Sequence, residues 1–276
     1  MGTRIISGAI GAVIAALVIW LHDTLVLNFA LAAIILLMLY ELFKAARCIK
    51  LRLTCLPCFV YGAAMPFVVT TEAAKYKFVF DLLLVFLVMF SFVALHNSVK
   101  YYRMFFILGS TILVVNSMTT LIIMNEIPVH GLMYLIMGLC GAWLADTGAY
   151  FSGTFFGKHK LCPEVSPKKT IEGFAGGLIV TGGLFMLINF IYEKLLPKLT
   201  DYAVDVTYWK VFLLGVVLAV IGTIGDLSAS VLKRQCGIKD YGNIMPGHGG
   251  AMDRFDSVLF VAPCLLAFIS IVNIYN

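Results

Sequence analysis

The stretch from Asp226 to Asp256 reads DLSASVLKRQCGIKDYGNIMPGHGGAMDRFD. It puts four aspartates, two lysines, two arginines and a histidine between two apolar segments. Charge beside a membrane span is costly and marks a functional place. Carboxylates bind hard cations, basic groups bind phosphates, and glycines let backbone N–H groups approach an anion. Asp253 and Asp256 are spaced i, i+3, so a helix beginning near Met252 presents both on one face. Asp226 closes the apolar segment before them and can meet them across a helix pair. Three converging carboxylates repel one another unless a cation joins them. Mg2+ suits such a site, because it takes oxygen ligands from one or two carboxylates plus substrate phosphates. Gly247, Gly249 and Gly250 flank His248 just before a helix start, where backbone N–H groups can face a phosphate. His248 can contact that phosphate or orient an aspartate. Lys233, Arg234 and Lys239 add positive charge. The plainer alternatives are solvated loop aspartates, a histidine in a tight turn and ordinary cytoplasmic-loop lysines.

A second polar stretch, Ala145 to Gly173, reads ADTGAYFSGTFFGKHKLCPEVSPKKTIEG. Asp146 lies inside an apolar helix end. Gly153 and Gly157 loosen the chain, and Lys158, Lys160, Lys168 and Lys169 supply charge. Thr170 and Glu172 can cap the helix that follows, although the spacing is not that of a capping box. Ser166-x-x-Lys169 lacks the partner motifs of a serine nucleophile. Gly173 and Gly177 make a small-xxx-small pair suited to close helix packing.

The elements that carry these groups are membrane spans. Of 276 residues, 61% are hydrophobic and 13% charged, against about 25% charged in a soluble domain. Segments of roughly 20 apolar residues run over 5–21, 25–43, 53–70, 78–95, 104–124, 129–150, 174–192, 209–224 and 258–275. The fold expected is an all-α polytopic bundle of about nine transmembrane helices, the third kinked or broken by Pro57 and Pro66. Residues 1–276 read as one membrane domain, with an N-terminal helical part at about 1–128 and a catalytic part at about 129–276. The apolar run after MGTR is long for a signal peptide and lacks a small-x-small cleavage site, so a retained first helix is expected. With the N-terminus in the cytoplasm, most of the 20 Lys and Arg fall on the cytoplasmic side, as the positive-inside rule requires. Both polar loops then face the cytoplasm and the C-terminus lies outside. From Trp209 to Asp226 is roughly 26 Å of helix, which brings Asp226 near headgroup depth. The net charge of +5 is scattered over loops and does not indicate nucleic-acid binding. Seven cysteines form no regular framework and read as free thiols. The lone Cys55-x-x-Cys58 has no second pair or histidine to make a zinc site.

Together the two polar stretches resemble the phosphatidate cytidylyltransferases (CDP-diacylglycerol synthases). That signature runs here from Ser230 through Lys233-Arg234, Lys239-Asp240, Gly242, Pro246 and His248-Gly249-Gly250 to Asp253-Arg254-Phe255-Asp256. Met245 and Ala251 stand where other aliphatics are usual. The upstream ADTGAYF, FGKHKL and SPKKT-x-EG are similar to the same family, with Ile171 at a position often aromatic. The resemblance implies CTP plus phosphatidate giving CDP-diacylglycerol and pyrophosphate in phospholipid biosynthesis, with Mg2+ and room for K+ nearby. It implies metal ligands at Asp226, Asp253 and Asp256 and phosphate contacts from Lys233, Arg234, His248 and Arg254. Asp146, Lys168 and Lys169, with Gly249 and Gly250, would bind or orient nucleotide. It also implies a homodimer; the compact form of the chain looks bacterial, so a bacterial inner (plasma) membrane is expected, with the active site on the cytoplasmic side that the basic residues mark.

Chemistry supports a reaction without a strong base. A phosphate monoester has its second pKa near about 6, so the lipid phosphate is already a nucleophilic dianion at neutral pH. The obstacle is bringing two polyanions together, which cations and basic side chains offset. A CTP-dependent lipid kinase would instead move the γ-phosphoryl group and release CDP. The D-x2-D-G-x2-A-R spacing of CDP-alcohol phosphotransferases is absent. A cation transporter would hold its acids near the membrane midplane rather than at one interface.

Overall fold

Long runs of Leu, Ile, Val, Phe and Ala leave the backbone no water to bond in a bilayer, so the helix, which satisfies its own N–H and C=O groups, is the available structure. The computed structural model describes residues 2–199, 202–243 and 249–275, and side chains from residue 8 onward within them, save that of residue 199. Among the described residues ten α-helices occur: α1 Gly2–Trp20, α2 Leu25–Ala45, α3 Arg52–Val68, α4 Lys77–Ala94, α5 Tyr101–Asn125, α6 Gly131–Phe156, α7 Ile171–Leu199, α8 Tyr208–Gln235, α9 Met252–Phe255 and α10 Val258–Ile271. Seven helical segments are long and apolar enough to cross a membrane, and α1 and α3 add shorter apolar helices. The protein is thus an all-α polytopic membrane protein, with a helix at each of the nine segments read from the sequence.

The third helix is not broken: it runs from Arg52 to Val68 with Pro57 and Pro66 inside it. Three local expectations are corrected. Asp226 does not end its helix, because α8 runs on to Gln235; apolar content stops there, but helical hydrogen bonding does not. Asp253 and Asp256 do not share one helix. The chain turns at Asp256-Ser257 between α9 and α10, where Asp256 Oδ1 takes the N–H of Ser257 at 2.8 Å. Between α6 and α7 the Lys-rich segment is a small antiparallel hairpin, β1 Lys160–Cys162 with β2 Ser166–Thr170.

The chain divides into two compact units. One comprises Met1–Leu132 with Lys233–Phe255, the other Met133–Leu232 with Asp256–Asn276. In the first, α2, α3, α4 and α5 pack on one another and α9 packs on α2. Ile35, Met38, Leu39, Met65, Ile107 and Met118 are fully buried in its core.

The second unit is held by close helix contact. A Cβ at Gly173 would come within 2.7 Å of Ala149 O and 3.1 Å of Gly153 Cα, and one at Gly177 within 3.0 Å of Ala145 O. The Gly173/Gly177 pair therefore joins α7 to α6. Gly215 brings α8 equally close to α7, since a Cβ there would meet Gly182 Cα at 2.9 Å. Near the chain's end Tyr275 donates to Asn189 Oδ1 at 2.6 Å, and Asn189 donates to Phe185 O at 2.9 Å, so these buried polar groups satisfy one another.

Candidate active site

In the second unit, Thr170 is the N-cap of α7. Its Oγ1 accepts the N–H of Gly173 at 3.1 Å, so Thr170 supplies the cap read from the sequence. Glu172 acts backwards on the hairpin. Its carboxylate accepts the N–H groups of Lys158 at 3.0 Å and His159 at 3.2 Å and contacts His159 Nδ1 at 2.6 Å. Ile171 N–H donates to His159 O at 3.0 Å, closing the hairpin base. The arrangement fixes Lys160, Lys168 and Lys169 along one short sheet.

Beside that hairpin lies a cavity of about 540 Å3, lined among others by Asp146, Tyr150, Lys160, Lys168, Lys169 and Asp226. The volume is within the ~300–1,000 Å3 range of small-molecule sites. Lys169 Nζ stands 2.6 Å from Asp226 Oδ2 and 3.7 Å from Asp146 Oδ1. One ammonium therefore draws together a carboxylate from α6 and one from α8. Lys168 on β2 is exposed and lies at the cavity wall. Ser166, Thr170 and Ser230 add hydroxyls to the lining.

In the first unit, Lys233 Nζ donates to Asp253 Oδ1 at 2.9 Å, and the side chains are only 12% and 6% exposed. Asp253 Oδ2 accepts the N–H groups of Tyr241 at 2.8 Å and Gly250 at 3.0 Å. Gly249 has φ +85, and a Cβ there would come within 2.9 Å of Asp253 Oδ2. Only glycine takes that turn without strain. The glycine turn thus directs its Gly250 N–H at a carboxylate of the protein itself. Arg234 and Arg254 are exposed at the ends of α8 and α9. His248, with Gly247, lies outside the described residues.

Asp226, Asp253 and Asp256 each have partners of their own. Among the described residues no group of three His, Cys, Asp or Glu side chains stands ready to hold a metal ion. Asp146 and Asp226 nonetheless suit Mg2+: both supply carboxylate oxygen, both already approach one positive charge, and both open on a cavity that admits further oxygen ligands. Asp253, engaged by Lys233 and two amides, and Asp256, buried against Ser257, would have to exchange partners to ligate a cation.

Glu41 escaped the sequence reading. It lies near the end of α2 and is 2% exposed. Its Oε1 accepts the N–H of Ala251 at 3.1 Å and its Oε2 that of Met252 at 2.8 Å. An acid inside an apolar helix was the available signal, but its partners are more than two hundred residues away in the chain. Lys160 and Ser166 were legible only as charge and loop until the hairpin placed them at the cavity.

The model of the cytidylyltransferase family matches residues 2–272. The chain is 46% identical over 138 residues to the phosphatidate cytidylyltransferase of Staphylococcus aureus (strain COL), covering 49% of this chain and 48% of that protein. It is 44% identical over 136 residues to that of Bacillus subtilis (strain 168), covering 49% and 47%. It is 43% identical over 136 residues to that of Staphylococcus saprophyticus, covering 49% and 48%. The chain thus spans about half the length of the curated relatives it matches.

Proposed function

The chain belongs to the cytidylyltransferase family, and from that premise we propose that it transfers a cytidylyl group from CTP to phosphatidate, giving CDP-diacylglycerol and pyrophosphate. The observation that carries the proposal is the cavity of the second unit, where Lys160, Lys168 and Lys169 meet Asp146 and Asp226. Lysines at a capped helix start receive a polyphosphate. Two acids beside them suit a divalent cation. Relatives named phosphatidate cytidylyltransferase support the same substrates.

In this reading the triphosphate enters the lysine-lined cavity and Lys169 exchanges a carboxylate partner for phosphate oxygen. Asp226 and Asp146, so released, would hold Mg2+, which when bound screens phosphate charge and stabilises the leaving pyrophosphate. Lys160 and Lys168 keep the β- and γ-phosphates in line with the attacked α-phosphorus. The family resemblance assigns phosphate contacts to Lys233, Arg234, His248 and Arg254, and the lipid phosphate brings its own nucleophile. Its oxygen attacks as a dianion, the bond from the α-phosphorus to the bridging oxygen breaks, and pyrophosphate carries the electron pair away. No side chain need remove a proton.

The cavity opens on the cytoplasm of a bacterial inner membrane, with the N-terminus on that side, the C-terminus outside and the protein a homodimer. The basic-residue distribution supports the orientation; the apolar helices and the bacterial relatives support the membrane, and the family resemblance supports the dimer.

The test is the fate of label in purified protein given phosphatidate, Mg2+ and CTP labelled at the α-phosphate. Label moving into lipid with release of pyrophosphate is expected. CDP in the water phase with a phosphate gained by the lipid would make the protein a CTP-dependent kinase instead.

A further inference from the structure

α9 is a single turn, so its first N–H groups have no partner within the helix. They are not left to water. Ala251 and Met252 donate to the two oxygens of Glu41, while Gly250 and Tyr241 donate to Asp253 Oδ2. One buried carboxyl group from α2 therefore holds the start of α9, and the acid of α9 holds the turn that precedes it. Glu41 also fills the space beside two glycines. A Cβ at Gly242 or at Gly250 would collide with its Oε1. A carboxyl group buried at 2% exposure is costly unless its hydrogen bonds are made, and here each oxygen meets a different amide. A carboxamide cannot replace it evenly, because its NH2 would face an N–H donor.

We propose that Glu41 is a positioning residue: it fixes the 249–253 turn, and through it the Lys233–Asp253 pair, for the reaction. The inference rests on the cytidylyl-transfer reading above. Glu41 touches no substrate in this scheme. Its effect passes through the backbone of Ala251 and Met252, so it governs turnover rather than affinity for CTP.

The test compares the wild-type chain with Glu41→Gln and Gly242→Ala, the second displacing the same carboxylate while leaving its charge. Cytidylyl transfer is measured with hydrogen exchange by mass spectrometry. The expected result is a fall in kcat of tenfold or more in both variants, with KM for CTP within threefold of wild type. Exchange should quicken in peptides covering 249–256 and stay unchanged in α3 and α5. Unchanged kcat with unchanged exchange at 249–256 would overturn the proposal, as would faster exchange throughout α2, α3 and α5. A wild-type protein that moves no label would sink the functional reading alone. Exchange at 249–256 would then decide for or against Glu41 by itself.

Discussion

Lys169 links two acids of the cavity wall. Its ammonium, 2.6 Å from Asp226 and 3.7 Å from Asp146, keeps two acids from repelling each other across α6 and α8. The Lys233–Asp253 pair is more deeply buried, and Asp253 has two amide donors besides. Lys233→Met should leave that carboxylate without its charge partner and cost about 3–5 kcal/mol, read as a lower thermal midpoint in detergent. A midpoint within a degree of wild type would mean that the pair is dispensable. Burial pushes the Cys48 thiol up, the nearby Arg103 only partly offsetting it. A raised pKa means less thiolate at a given pH, so maleimide should react with Cys48 slowly at neutral pH and faster as pH climbs beyond the ordinary thiol range. The acids, lysines and Gly249-Gly250 could be picked out of the sequence because charge and glycine are conspicuous in an apolar chain. Their partners could not. Glu41 stands out as an acid in an apolar helix, but nothing local in YELFKAARC announces that it reaches Ala251 and Met252 across the fold.

At the scale of elements, close helix contact in the second unit positions the cavity. Gly215 lets α8 approach α7 so that added bulk meets backbone, not a movable side chain. Gly215→Ala should therefore destabilise by about 1–3 kcal/mol through overpacking. Gly183→Ala on α7, with nothing within 4 Å of the added Cβ, should be neutral or slightly stabilising by helix propensity. Equal midpoints for the two variants would remove the packing argument. Apolar length alone revealed the nine helical segments, because a bilayer enforces it. Hydropathy missed where helices continue past the lipid, as α8 does beyond Asp226, and where they stop, as at Asp256-Ser257. The hairpin of β1 and β2 was hidden for a different reason. Its strands have three and five residues, too few for a period, and it is tied by Glu172 rather than by its own pattern.

At the scale of the molecule, two compact units share one chain that leaves the first after Leu132, returns to it at Lys233 and leaves it again at Asp256. Sequence order alone suggested one cut, between an N-terminal and a catalytic part. The Lys233–Phe255 part of the Asp226–Asp256 stretch groups with the N-terminal helices, through contacts such as Glu41 to α9 that composition does not reveal. The membrane reading predicts sidedness. With Cys162 of β1 as the only cysteine, a membrane-impermeant maleimide should label inverted vesicles and spare right-side-out ones; the reverse would invert the proposed topology. The central claim is that the lysine and aspartate cavity of the second unit carries out cytidylyl transfer. Its most direct test is a single-turnover measurement of α-labelled CTP into lipid by wild type, Asp226→Asn and Lys169→Met under saturating phosphatidate and Mg2+. The account predicts transfer by wild type and a rate at least a hundredfold lower in both variants. Wild-type rates in either variant would contradict it.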